Sequence, residues 1–163
     1  MKRLILIRHA KSAWDNPLLS DHDRPLAARG LEDAPKMAHR LSKRGIHANL
    51  LLSSTALRAQ STARFIASEL GYPAEGIVQE NTLFHASSRS ILKFLWLQDD
   101  KHDTLLVFGH NPGFTDLVNY LGGEIDNLPT SGQFGFTLNS AHWADLKPEA
   151  VETWFFDYPK KKD

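Results

Sequence analysis

The 163 residues carry 19 basic and 19 acidic side chains, 42% hydrophobic residues and no cysteine. Zero formal net charge argues against general electrostatic binding of nucleic acid, which needs a basic excess, and the missing cysteines exclude disulfides, thiolate catalysis and cysteine-based metal sites. A chain of this size is expected to form one compact domain over residues 1–163, and with no signal-peptide core or membrane-length apolar run it reads as soluble and cytoplasmic.

The first element is the run Leu4–Ile7, four large aliphatics that predict a strand buried on both faces, as in a parallel sheet covered by helices. It stops at Arg8-His9-Ala10-Lys11-Ser12. In open α/β sheets the ligand crevice lies beyond the carboxyl ends of the strands, so Arg8 and His9 fall at the expected site. Ala13–Pro25, rich in turn formers such as Asp15-Asn16-Pro17 and Ser20-Asp21-His22-Asp23, reads as a loop over the sheet's edge. A helix follows from Ala27 to about Arg44, with Leu31, Ala34, Ala38 and Leu41 on its apolar face and Gly45 as its stop. Pro35 is awkward inside it, since proline removes a backbone donor, and predicts a kink or a later start.

Asn49–Leu52 is a second buried-type strand, ending in Ser53-Ser54, and Ala59, Ala63, Ile66 and Leu70 mark the helix after it. Gly76–Gln79 suggests a short strand, and Ser87–Trp96 a helix packing Ile91, Leu92 and Leu95. Asp103–Phe108 is the third buried-type strand and ends in Gly109-His110-Asn111-Pro112-Gly113; Phe114, Leu117, Val118 and Leu121 then define a helix. Gly135–Leu138 and Val151–Phe156 read as later, antiparallel strands, Trp96, Trp143 and Trp154 as packing residues, and Lys160–Lys162 as a solvated tail. If the three buried strands lie parallel and adjacent, their polar ends meet on one rim. Two guanidinium groups and two imidazoles would then share a pocket suited to a phosphate, which arginine grips in a bidentate fork.

Each cluster alone has a plainer explanation. Arg58 reads as a helix-surface charge, His110-Asn111-Pro112 as a loop capping the next helix, Ser12 as a turn or cap residue, and Arg24 and Arg29 as partners in loop salt bridges. Together and in order they resemble the histidine phosphatase superfamily in its SixA-like phosphohistidine phosphatase branch. The resemblance rests on Arg8-His9-Ala10-Lys11-Ser12, Asp23-Arg24-Pro25-Leu26 with Arg29-Gly30, Ser53 through Ala63, Gly109 through Gly113, and Leu128-Pro129-Thr130. It implies an α/β fold of the phosphoglycerate mutase-like type: a three-layer sandwich with a mostly parallel central sheet.

It also implies that His9 is a nucleophile that becomes transiently phosphorylated, and that Arg8, Arg58 and His110 bind the phosphoryl oxygens, with Ser12 as a further phosphate donor. No cofactor and no metal are called for, because the cationic side chains meet the charge that a metal meets elsewhere. Ala10 and Lys11 depart from the Gly-Glu common after Arg-His in the wider superfamily, which fits the SixA-like branch better than the mutases. The acid that protonates the leaving group in mutases and many phosphomonoesterases has no clear counterpart; its register falls at Leu83-Phe84-His85, leaving His85 or the upstream Glu80. The implied function is dephosphorylation of phosphohistidine on a partner protein, with no nucleic-acid or membrane partner. A small-molecule phosphomonoesterase and a non-catalytic phosphoprotein-binding module are the alternatives.

Overall fold

In a computed structural model that describes residues 1–162, six strands form one mixed sheet with helices on both faces. The strands are β1 (Lys2–Arg8), β2 (Leu50–Ser53), β3 (Val78–Gln79), β4 (Thr104–Gly109), β5 (Gln133–Leu138) and β6 (Val151–Asp157). Their order across the sheet is β3-β2-β4-β1-β5-β6. β1, β2, β3 and β4 run parallel, whereas β5 lies antiparallel to β1 and β6 antiparallel to β5. The phosphoglycerate mutase-like three-layer α/β reading holds, and the two late strands are antiparallel as the sequence suggested.

Four helices cover the sheet: α1 (Ala28–Ser42), α2 (Leu57–Leu70), α3 (Ser88–Trp96) and α4 (Gly113–Tyr120). Alternation along the central strands divides the core into two layers. Leu4 and Leu6 of β1 and Leu105 and Val107 of β4 point to the face that packs Ile91, Leu95, Phe114 and Leu117 of α3 and α4. Ile5, Ile7, Leu106 and Phe108 point the other way, against Ala38 and Leu41 of α1 and Ala59, Ala63 and Ile66 of α2. Leu4 through Ile7 are all fully buried, at about 1.5–3 kcal/mol each of transfer free energy, which is why this strand reads as a continuous apolar run. None of the described helices is long and apolar enough to cross a membrane.

Two expectations change. The later start considered for the helix does not occur, because α1 begins at Ala28 and runs through Pro35. Leu31 is 53% exposed, not buried. Its place on the inward face is taken by Gly30, over which the backbone of Lys11 passes so closely that a Cβ would lie 2.2 Å from the Lys11 carbonyl oxygen. Leu31 is left on the flank beside Phe65 of α2. Trp143 is fully buried and donates from Nε1 to the His102 carbonyl at 2.8 Å.

β2, β4 and β1 are direct neighbours, so the polar residues at their carboxyl ends are brought to one edge. The sheet register puts Arg8 opposite Gly109 and Ser53 opposite Phe108.

Candidate active site

The main chain around His9 is fixed from both sides. His9 N–H donates to the Gly109 carbonyl at 3.1 Å, Ser131 N–H donates to the His9 carbonyl at 3.0 Å, and Arg8 N–H donates to Gly132 at 3.0 Å. The next residue is tied to α2: Ala10 N–H donates to Thr62 Oγ1 at 2.9 Å, and that hydroxyl donates to the Arg58 carbonyl at 2.8 Å. One threonine thus sets the β1 terminus against the first turn of α2, where Arg58 sits.

Within this frame Arg8, His9, Ser12, Arg58, His85 and His110 all line one pocket of about 300 Å³. His9 Nδ1 lies 2.7 Å from the Ala10 carbonyl. That oxygen can only accept, so Nδ1 carries the proton and Nε2 keeps its lone pair. Nε2 faces Arg58 Nε at 3.4 Å. The His9 and His110 rings lie 5.2 Å apart, centroid to centroid. His110 Nε2 is 2.8 Å from Ser54 Oγ, and its Nδ1 is 3.4 Å from Arg58 Nη2. Arg8 Nη1 donates to the Leu128 carbonyl at 3.0 Å, while its buried Nε has no partner among the described residues.

Burial dominates the electrostatics. Desolvation, with Arg58 and Arg8 nearby, outweighs the Ala10 hydrogen bond and lowers the His9 pKa to about 3. Desolvation, followed by the charges of His9, Arg58 and His85, lowers that of His110 to about 2. Both imidazoles are therefore neutral at physiological pH, and the positive charge of the pocket resides in the two guanidinium groups. Arg8 is itself pushed down by burial and by Arg58, the signature of two like charges held together.

The residue the sequence reading overlooked is Asp21. Read as a turn former, it lies in a one-turn 3-10 helix, Asp21–Asp23, whose loop folds back over the sheet edge. Arg58 Nη1 donates to its carbonyl at 2.6 Å and Nη2 to Oδ2 at 3.0 Å; His85 Nε2 reaches the same Oδ2 at 2.8 Å, and Arg24 Nε lies 3.3 Å from Oδ1. Partial burial raises its pKa, but the hydrogen bonds from His85 and Arg58 outweigh that and hold the carboxyl below its ordinary range. The only signal available was positional: a loop leaving β1 beyond His9 has to cross the carboxyl edge, and it carries three aspartates, Asp15, Asp21 and Asp23.

His85 is half exposed at the rim, with a positive φ of 51°. Glu80 does not reach the pocket; its carboxylate accepts from Thr82 Oγ1 at 3.1 Å. Ser12 is buried and bridged to Leu26. Arg24 and Arg29 are in ion pairs with Asp21 and Asp33, as loop salt bridges. Lys11, Trp14, Asn111 and Thr130 complete the lining.

Comparison with known proteins agrees with this geometry. Residues 4–81 match the model of the histidine phosphatase superfamily, branch 1. The chain is 34% identical over 142 residues to an uncharacterised chloroplastic protein of Arabidopsis thaliana, covering 79% of this chain and 63% of that one. It is 30% identical over 165 residues to an uncharacterised protein of Mycobacterium tuberculosis, covering 94% of this chain and all of the other. A crystal structure from Agrobacterium tumefaciens, assigned as phosphohistidine phosphatase SixA, superposes with a TM-score of 0.82 at 27% identity, covering 97% of this chain and 98% of that one. With the fold, the strand-end cluster and the matched residues in agreement, this chain belongs to the histidine phosphatase superfamily.

Proposed function

We propose that this phosphatase works through a phosphohistidine formed on His9, without a metal ion, and that its substrate is phosphohistidine on a partner protein. The observation that carries the proposal is the state of His9: a buried, neutral imidazole with Nδ1 bonded to the Ala10 carbonyl and an unprotonated Nε2 that accepts from Arg58 Nε at 3.4 Å. A nucleophile needs that lone pair, and burial keeps it unprotonated.

In the first step Nε2 of His9 attacks phosphorus in line as the bond from phosphorus to the substrate nitrogen breaks. The negative charge on the equatorial oxygens is met by Arg8, Arg58 and His110 Nδ1–H, the ring nitrogen on the Arg58 side, while His110 Nε2 accepts from Ser54 Oγ, with Ser12 at the edge. The departing imidazole takes up a proton. In the second step water attacks phosphorus, the bond to His9 Nε2 breaks, and inorganic phosphate leaves. Ser54 orients His110, and Asp21 holds Arg58 by two contacts, so both act as positioning residues.

The substrate class follows from the acid. The carboxylate in the pocket, Asp21, is ionised and already engaged by Arg58 and His85, so it has no proton to give at neutral pH. A phosphoramidate leaving group tolerates this, because its nitrogen is basic enough to be protonated from solvent. An alcohol leaving group does not. His85, hydrogen-bonded to Asp21 at the rim, is the candidate proton donor, and this contact favours a second reading in which alcohol phosphates are also turned over.

The test compares, at neutral pH without added metal, release of phosphate from a histidine-phosphorylated phosphotransfer protein and from a panel of alcohol phosphates. His9→Ala serves as the control. His9-dependent release from the phosphoprotein alone is the expected result. Preference for an alcohol phosphate would move the assignment to a small-molecule phosphomonoesterase with His85 as its acid, and turnover surviving in His9→Ala would remove the nucleophile.

A further inference from the structure

We propose that a cationic groove beside the active site docks an acidic surface of the phosphoprotein substrate. The groove, about 720 Å³, is lined by Lys36, Arg40, Lys43 and Arg44 of α1 and by Lys161 and Lys162 of the C-terminal segment. Six cations face it in a chain whose formal net charge is zero. The one carboxylate among its lining residues is Asp157, whose side chain is 3% exposed and is paired with Arg40 and, at 3.8 Å, with Arg44. His39, also on the wall, is paired with Glu69 at 3.0 Å.

The plainest explanation of basic residues at the end of α1 is the helix dipole, which favours cations near a C-terminus at about 0.3–1 kcal/mol each. That covers Arg40, Lys43 and Arg44. It does not cover Lys161 and Lys162, which come from a segment more than 110 residues away and are folded back onto the same wall. The fold holds them there. Lys36 Nζ donates to the Pro159 carbonyl at 2.8 Å, and Lys161 N–H donates to the Tyr158 carbonyl at 3.0 Å. Six cations against one carboxylate among the described lining residues leave a positive excess, and a bound anionic surface relieves it.

Position identifies the occupant. Asp157 ends β6 opposite Gln133 of β5, and Gln133 pairs with Ile7, the residue before Arg8. The Asp157 end of the groove therefore lies level with the sheet edge that carries His9, two strands away, or roughly 10 Å at the usual strand spacing, and the groove runs from there along α1 to Arg44. A cleft lined by Arg29, Asp33, Pro159 and Lys160 shares Thr130 with the catalytic pocket and ends at Lys160, the residue before Lys161 of the groove. A protein–protein footprint of about 800 Å² per partner is about 30 Å across, wide enough for a protein presenting phosphohistidine to His9 to reach the Asp157 end of this groove. Nucleic acid is less well served. Of the rings the groove's cations touch, Phe155 is covered by the Arg44 guanidinium at 3.9 Å and Phe156 by Lys161 Nζ at 5.9 Å, which obstructs base stacking.

The inference rests on the proposed phosphoprotein substrate, and its test separates the two. The variant Lys43→Glu/Lys161→Glu/Lys162→Glu changes exposed residues outside the catalytic pocket. We expect kcat/KM for the histidine-phosphorylated phosphotransfer protein to fall ten-fold or more at low ionic strength and to lose most of its salt dependence, with free phosphohistidine hydrolysed as by the wild type. An unchanged rate and salt slope on the protein, or an equal fall on both substrates, overturns the docking role. Independently of any turnover, anisotropy of a fluorescein-labelled polyglutamate peptide reads the groove directly. Binding to the wild type that is lost in the variant supports an acidic partner even if phosphohistidine proves not to be the substrate. No binding, or displacement of the peptide by duplex DNA at lower charge concentration than by an acidic protein, overturns it.

Discussion

His9, Arg58 and His110 form one unit in which each side chain is defined by the others. Arg58 reaches His9 Nε2 and His110 Nδ1, both at 3.4 Å, and is itself fixed by Asp21. Removing a donor aimed at transition-state charge typically costs about 100- to 1000-fold in kcat, so Arg58→Ala and His110→Ala are each expected to lose at least two orders of magnitude while staying folded. Single-turnover kinetics with trapping of the acid-labile phosphoenzyme checks this; a variant that still forms phosphoenzyme at the wild-type rate contradicts the role. His85 separates two chemistries at the same scale. His85→Asn is expected to lower kcat by ten-fold or more on any alcohol phosphate the enzyme accepts, and to change the phosphohistidine rate by less than about three-fold. Equal losses on both substrates would make His85 structural rather than a proton donor.

At the scale of elements, the decisive contact is the first turn of α1 against the chain leaving β1. Ala27 N–H donates to the Lys11 carbonyl at 2.8 Å, Ser12 bridges to Leu26, and Gly30 lies over the Lys11 backbone. In an open helix, Gly→Ala gains up to about 1 kcal/mol from propensity. Here the added Cβ would stand 2.2 Å from the Lys11 carbonyl oxygen, in backbone that cannot rotate away, and overpacking of this kind costs about 1–3 kcal/mol. The clash wins. Gly30→Ala is expected to lower the denaturation midpoint and to reduce activity with it, since Lys11 and Ser12 line the pocket; unchanged values of both would show that α1 is not held by this contact. The same element shows where sequence reading stops. The buried strands were legible because a strand covered on both faces has to be apolar throughout, and Arg8, His9 and His110 were legible as the first polar residues after such runs. Leu31 was misplaced because periodicity gives a helix face but not which turn reaches beyond the sheet. Asp21 was missed because an aspartate in a turn sequence looks the same whether or not its loop closes over a pocket. The cationic groove joins Lys36 to Lys161, a proximity that only the tertiary fold creates.

For the whole molecule, the buried pocket ties stability to pH. His9 and His110 have folded-state pKa values of about 3 and about 2, against an ordinary 6.5. Below pH 6.5 the unfolded chain binds protons at these positions that the folded chain refuses, so stability is complete above 6.5 and is lost as pH falls toward 3. Each group contributes about 1.4 kcal/mol per pH unit, which for two groups amounts to about 4 kcal/mol at pH 5, a large part of the 5–15 kcal/mol that holds a typical domain together. Asp21 acts in the same direction only at lower pH, because its depressed carboxyl is protonated below the ordinary carboxylate range. His142 acts the other way: its hydrogen bond to Asp100 raises its pKa, a contribution present below its ordinary value and lost as pH rises. Both partners stand in solvent, where such pairs contribute little. The melting temperature is therefore expected to fall steeply between pH 7 and pH 5, and His110→Asn, which removes one of the two titrating groups, to flatten that fall by about half. A wild-type melting temperature independent of pH over this range would mean that the imidazoles take up protons in the folded state, and His9 would then lack the lone pair that its proposed chemistry requires.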